Sequence, residues 1–176
     1  MILGGKKSII ETIYKNKMIQ RPKYSDTTIK LVVAQHLCKI ICKWLDSHNE
    51  YYEPDELQKD CNKIMEYAVY GDDGYKFART FDKDYGYDPD SALVEELDHI
   101  MNIWQNEFTK SVTQWVKDNN IQPQYEINQV VTTNTGFTGK ISSINNLTAC
   151  YRIEVTPTST RLVPYELVTL TEQTNK

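Results

Sequence analysis

Histidine, cysteine and long apolar runs are all scarce in this chain of 176 residues, and each scarcity removes a class of protein. No hydrophobic stretch approaches the length that crosses a bilayer, and Met1 to Lys7 lacks the apolar centre of a secretory signal. The expectation is a soluble, cytoplasmic chain that no membrane holds. The four cysteines, Cys38, Cys42, Cys61 and Cys150, sit within apolar patterns and are too few for a secreted disulfide framework. All four are expected to be reduced, with Cys38, Cys42 and Cys61 as core thiols. No glycine-rich phosphate loop, dinucleotide fingerprint or helical His-Glu-x-x-His pair occurs. His48 and His99 lack a cysteine or acid at nucleophile spacing, so neither catalysis nor a cofactor is expected.

What is present supports a folded core. Hydrophobic residues make up 40% of the chain and charged residues 25%, which fits one large or two small globular domains and excludes disorder of the whole. Residues 1–120 read as helices. Ser8-x-x-Glu11 is a capping box ahead of Ile9, Ile10, Ile13 and Tyr14, and Arg21-Pro22 ends the helix it opens. Ser25 or Asp26 caps a second helix carrying Ile29, Val33, Leu37, Ile40, Trp44 and Leu45 at helical spacing. Leu31, Ala34, Cys38 and Cys42 make its far side apolar too, so it is expected at the centre of a bundle. Pro54 opens a third helix that turns Leu57, Cys61, Ile64, Met65, Ala68 and Val69 inward before Gly71. A short fourth, with Phe77, Ala78 and Phe81, stops at Gly86, and Asp88-Pro89 opens the longest, striped from Leu93 to Trp115. That stripe is read as an intramolecular core, with a homodimer seam as the alternative.

Two acidic fragments invite a metal. Tyr70-Gly71-Asp72-Asp73 looks like the carboxylate turn of template-dependent polymerases, but it falls between helices and reads better as a helix stop and cap. The carboxylates from Asp82 to Asp90 are spaced almost like a calcium loop, yet the glycine is one position early and Leu93 stands where the final glutamate belongs. No metal site is expected. An enzyme would need Asp72, Asp73 and Glu95 to converge on an ion.

The last fifty residues change character. Val130-Val131 begins an extended run, Gly139 to Ile144 supplies a second strand, and Ala149, Tyr151, Ile153 and Val155 alternate with Cys150, Arg152, Glu154 and Thr156 on a third. Arg161-Leu162-Val163 is a fourth strand, Pro164-Tyr165-Glu166 a helical turn, and Leu167 to Leu170 a fifth. The Val130-Val131 strand, the Gly136-x-x-Gly139-Lys140-Ile141 step, the Tyr151-Arg152-Ile153 strand and the Leu162 to Leu167 crossing resemble the KOW and Tudor type of small barrel with Src-homology-3-like topology. The resemblance implies a five-stranded antiparallel barrel over 125–172, of a kind that binds nucleic acid, binds peptides or packs on a neighbour. The expected fold class is therefore α+β: a helical bundle over 1–120, then a linker around Ile121 to Tyr125, then the barrel.

Charge is unevenly placed. Residues 1–23 hold six Lys/Arg and one acid, 24–123 hold ten and nineteen, and 124–176 hold four of each. The acidic middle also holds seven of the twelve tyrosines, from Tyr51 to Tyr87. Rigid amphipathic rings among carboxylates suit contact with a larger protein or complex that has a basic surface, although rings can also serve only to cover a small bundle. The residues expected to make such a contact are Tyr70, Asp72, Asp73, Tyr75, Asp82, Asp84, Tyr85, Tyr87 and Asp88. In general character the chain is similar to accessory or host-defence-inhibiting proteins of phages and mobile elements. The alternative partner is nucleic acid, met by Lys6, Lys7, Lys15, Lys17, Arg21 and Lys23 with Phe137, Lys140, Tyr151, Arg152 and Arg161 of the barrel. The basic segment can equally lie on the chain's own acidic body.

Overall fold

A computed structural model describes residues 20–171. The Ser8 capping box and Lys6, Lys7, Lys15 and Lys17 lie outside the described residues. Helices come first: α1 (Thr27–His48), α2 (Pro54–Tyr67), α3 (Gly74–Tyr85) and α4 (Ser91–Asp118). Local chemistry explains most of their ends. Asn49 adopts the left-handed conformation (φ 56°) that closes α1. Pro54 occupies the first turn of α2, with Asp55 and Glu56 beside it at the positive end of the helix dipole. Asp73 accepts from the Lys76 amide (2.9 Å) at the start of α3, and Gly86 ends that helix at φ 74°. Asp90, two residues past the expected start, caps α4 through the Leu93 amide (2.9 Å).

The end of α2 is set from outside. Lys30 Nζ, from α1, donates to the carbonyls of Glu66 (2.9 Å) and Ala68 (2.8 Å). A cation on the last carbonyls satisfies groups that the helix cannot, so α2 stops at Tyr67, short of the expected end at Gly71. Val69, expected inside, is exposed.

Leu37, Ile41, Leu45, Cys61, Met65, Phe81, Leu97, Ile100 and Trp104 form the centre of the helical core. The Trp104 indole donates to the Tyr24 carbonyl (3.0 Å), which satisfies its one polar group. α1 packs chiefly on α2 and α4, and α3 on α4. Contrary to expectation, α1 is not surrounded: Leu31 is exposed and Cys42 half-buried. Gly74 lets α3 touch α4 backbone to backbone, because a Cβ there would lie 2.3 Å from the Val94 carbonyl oxygen.

An antiparallel sheet follows: β1 (Val130–Thr133), β2 (Thr138–Asn145), β3 (Cys150–Thr156), β4 (Ser159–Pro164), a 3-10 turn (Tyr165–Leu167) and β5 (Val168–Leu170). Its order is β4-β3-β2-β1-β5, so the protein is α+β with helices before the sheet. The ladders leave β4 and β5 at opposite ends of that order. Val131, Ile141, Tyr151, Ile153, Val163, Tyr165 and Val168 build a second core on one face, while Arg152 and Glu154 point out as the alternation requires.

The expected linker is part of this core. Ile121 and Tyr125 pack on it together with Trp115 and Val116 from the end of α4. The Tyr151 hydroxyl oxygen accepts from the Gln124 and Tyr125 amides, both at 2.9 Å. Arg21 fastens the other side. Its guanidinium donates to the carbonyls of Thr148 (2.5 Å) and Ala149 (3.3 Å), lies 3.5 Å from the Glu166 carboxylate and sits 5.7 Å from the centre of the Trp115 ring.

Tyr151→Phe keeps the ring and removes the acceptor of two amides, and should lower the unfolding free energy by about 1–2 kcal/mol in urea titrations followed by circular dichroism. Gly74→Ala raises helix propensity yet should lower the melting temperature, because the added methyl group pushes α3 from α4.

Candidate interaction surface

The turn between α2 and α3 is built by its own acids. The Asp72 carboxylate accepts from the Val69 amide (2.8 Å) and pairs with Lys76 Nζ (2.6 Å), while the Asp72 amide returns to the Val69 carbonyl (3.0 Å). Asp73 caps α3. Both carboxylates expected to select a partner are thus engaged in holding the turn. The turn displays apolar surface: Tyr67, Val69 and Tyr75 are 74%, 63% and 65% exposed.

Tyr70 is drawn partly inward. Its ring stacks on Tyr24 at 3.7 Å, Tyr24 stacks on Phe108 at 3.8 Å, and the hydroxyls of Tyr24 and Tyr70 both donate to Gln105 Oε1 at 2.6 Å. Burial, with Tyr70 beside it, pushes the Tyr24 hydroxyl up to about 12. Tyr85 and Tyr87 lie 5.5 and 5.3 Å from Phe81 and pack against the helical core, and burial followed by the nearby Asp60 charge raises both phenols. These two rings serve the interior, contrary to the outward role expected of them. Asp82, Asp84 and Asp88 are exposed.

Between α2 and α3 opens a groove of about 690 Å³, floored by Ile64, Ala68 and Phe77. Lys63, Lys76 and Lys83 line it with Asp72 and Asp84, so this part of the face is mixed in charge, not acidic as the residue counts suggest. Sequence reasoning missed these lysines as part of the site. The signal available was their helical spacing against Tyr67 and Thr80.

The nucleic-acid candidates separate. Tyr151 is fully buried and holds the junction, so its ring cannot stack a base, and the Arg21 guanidinium is committed to the sheet. Phe137 is half-buried, with the Arg161 guanidinium 3.7 Å from its ring centre. Lys23, Lys140 and Arg152 are exposed, and Lys140 stands directly across the ladder from Glu154.

The thiols gather in the helical half. Cys38 and Cys42 have sulfurs 3.9 Å apart, burial pushes Cys38 up to about 11, and Cys61, deeper in the core, is raised as well. Among the described residues, no group of three His, Cys, Asp or Glu is placed to hold a metal ion. No protein-family model, curated protein or solved structure matches the chain.

Asp60 yields a pH prediction. Burial, then the Glu56 charge, raise its carboxyl above the usual range. A folded-state value above the unfolded one makes this group's contribution fall as pH rises through the carboxylate range. Asp60→Asn should therefore melt higher than the parent chain at pH 7, and the gap should close below about pH 3.9, where both states are protonated. Thermal melts across that range measure it.

Proposed function

We propose that this chain is a non-enzymatic protein-binding factor that contacts its partner through the α2–α3 turn and the outer side of α3. One observation carries the reading: Tyr67, Val69 and Tyr75 stand exposed beside a turn that the Asp72 and Asp73 carboxylates hold in place. Such a surface is presented without further ordering, and exposed tyrosine on a rigid support is favoured contact area. Asp82, Asp84 and Asp88, also exposed, favour a partner with a basic surface. The partner is a larger protein or complex, and the broader role is that of an accessory factor or inhibitor, of phage or mobile-element type, acting on a host defence or nucleic-acid-handling complex. The apolar stripe of α4 is largely spent inside the monomer, with Leu93, Leu97, Ile100 and Trp104 buried, which favours a monomer over a dimer through that helix.

The sheet order β4-β3-β2-β1-β5, with a 3-10 turn before β5, supports the Src-homology-3-like reading of the C-terminal part. The Arg161 contact with Phe137, which ties β4 to the β1–β2 connection, supports a barrel-like closure. Nucleic acid is the weaker reading, because of its two stacking rings Tyr151 is inside and Phe137 carries the Arg161 guanidinium, and Lys140 faces Glu154.

Affinity capture from the native extract tests the proposal. Tyr67→Ala with Val69→Asp and Tyr75→Ala should reduce recovery of the captured protein about tenfold or more, Asp82→Lys with Asp84→Lys should reduce it further, and nuclease should leave it unchanged. A partner that follows the turn variants undiminished, or that disappears with nuclease, contradicts the reading.

A further inference from the structure

A second face of the helical half lies away from the tyrosine-rich turn. α1 is apolar on two sides, and the side away from the core is only partly covered: Leu31 is 45% exposed and Cys42 half-buried, whereas Cys38 between them is buried in the helical core. α1 and α2 run antiparallel here, since Lys30 at the start of α1 reaches the end of α2. Two depressions, of about 480 and 540 Å³, follow one another along their seam. From Thr27 to Asp46 the seam extends about 30 Å at the helical rise, enough for a helix of some five turns.

Its charge is the reverse of the domain's. Lys39 and Lys43 stand on the α1 side and Lys59 and Lys63 on the α2 side, each pair one turn apart. Among the described residues none of these ammonium groups is within ion-pair distance of a carboxylate. Asp46 and Glu66 line the seam only at its two ends, and Asp46 is engaged by the Tyr52 hydroxyl (3.1 Å). No aromatic ring lines either depression, so nothing there stacks a nucleobase. The chain's own residues 1–23, with six basic groups and one acid, have the wrong sign to fill it.

We propose that the α1–α2 seam docks an acidic amphipathic helix of a partner protein, its apolar stripe on Leu31 and the exposed part of Cys42 and its carboxylates facing Lys39, Lys43, Lys59 and Lys63. A helix laid between two others needs a narrow apolar stripe with polar flanks, and the seam supplies the complement of both. The required partner is opposite in sign to the one that the α3 acids select; Lys63 lines both this seam and the α2–α3 groove, so the Lys39 and Lys43 pair, which lies outside that groove, is the one that separates the two sites.

The test uses the full chain and a synthetic helical peptide of about twenty residues, with leucine at every third and fourth position and glutamate flanking that stripe. Calorimetry should show binding that weakens with salt, and amine acylation read by mass spectrometry should show Lys39, Lys43, Lys59 and Lys63 reactive in the free chain and protected by the peptide. Lys59→Glu with Lys63→Glu, and separately Lys39→Glu with Lys43→Glu, should each weaken binding about tenfold while leaving far-ultraviolet circular dichroism unchanged. The turn variants of Tyr67, Val69 and Tyr75 should leave peptide binding intact. Lysines already protected in the free chain would show the seam occupied by the chain itself or a second copy and overturn the proposal. Equal binding of a scrambled peptide of the same composition, or of an oligothymidine of matched charge, would reduce the seam to a general polyanion surface and overturn it too.

Discussion

The place where α2 stops depends on a single ammonium group. Lys30 comes from the first turn of α1, passes 5.8 Å from the centre of the Trp104 ring, and ends on the carbonyls of Glu66 and Ala68. With the negative end of α2 satisfied in this way, the chain can leave the helix before its apolar pattern is exhausted. Val69 then falls outside, Tyr70 turns back onto Tyr24, and Asp72 and Asp73 are placed where they close the turn and open α3. The exposed rings and the groove above Phe77 follow from that stop.

Features governed by neighbours in sequence were legible. Pro54 opened its helix where expected, Gly86 closed the short one around Phe77, Ala78 and Phe81, and the expected alternation matched Tyr151 and Ile153 on the buried face of β3, with Val155 half-buried and Ala149 just before the strand. What escaped had a distant cause. Lys30 lies 36 residues from Glu66, and Arg21 lies 127 from Thr148, so no local pattern announces either contact. Tyrosine was the hardest residue to place, because a phenol suits a wet edge or a core equally well. Tyr75 and Tyr85 lie on the same helix, yet one faces water and the other joins the core around Phe81.

Segment totals of charge also misled, for a geometric reason. Asp72, Asp73 and Asp90 spend their carboxylates on backbone amides, which lessens their part in recognition without altering any count. The lysines are interspersed among acids along the chain, but spacing of four residues gathers them on one side of each helix. An acidic body can therefore present basic seams, and its net sign says little about what any one face will meet.

The joint between helices and sheet uses an asymmetric fastening. Tyr151 supplies a specific oxygen, whereas Gln124 and Tyr125 supply only main-chain N–H groups, which every residue except proline possesses. The side chain of Gln124 is thus released from this bond, while Tyr125 and Ile121 still contribute their apolar surface to the sheet core. Sequence drift at position 124 would leave both amide bonds in place, while a change of the Tyr151 phenol would remove the two together.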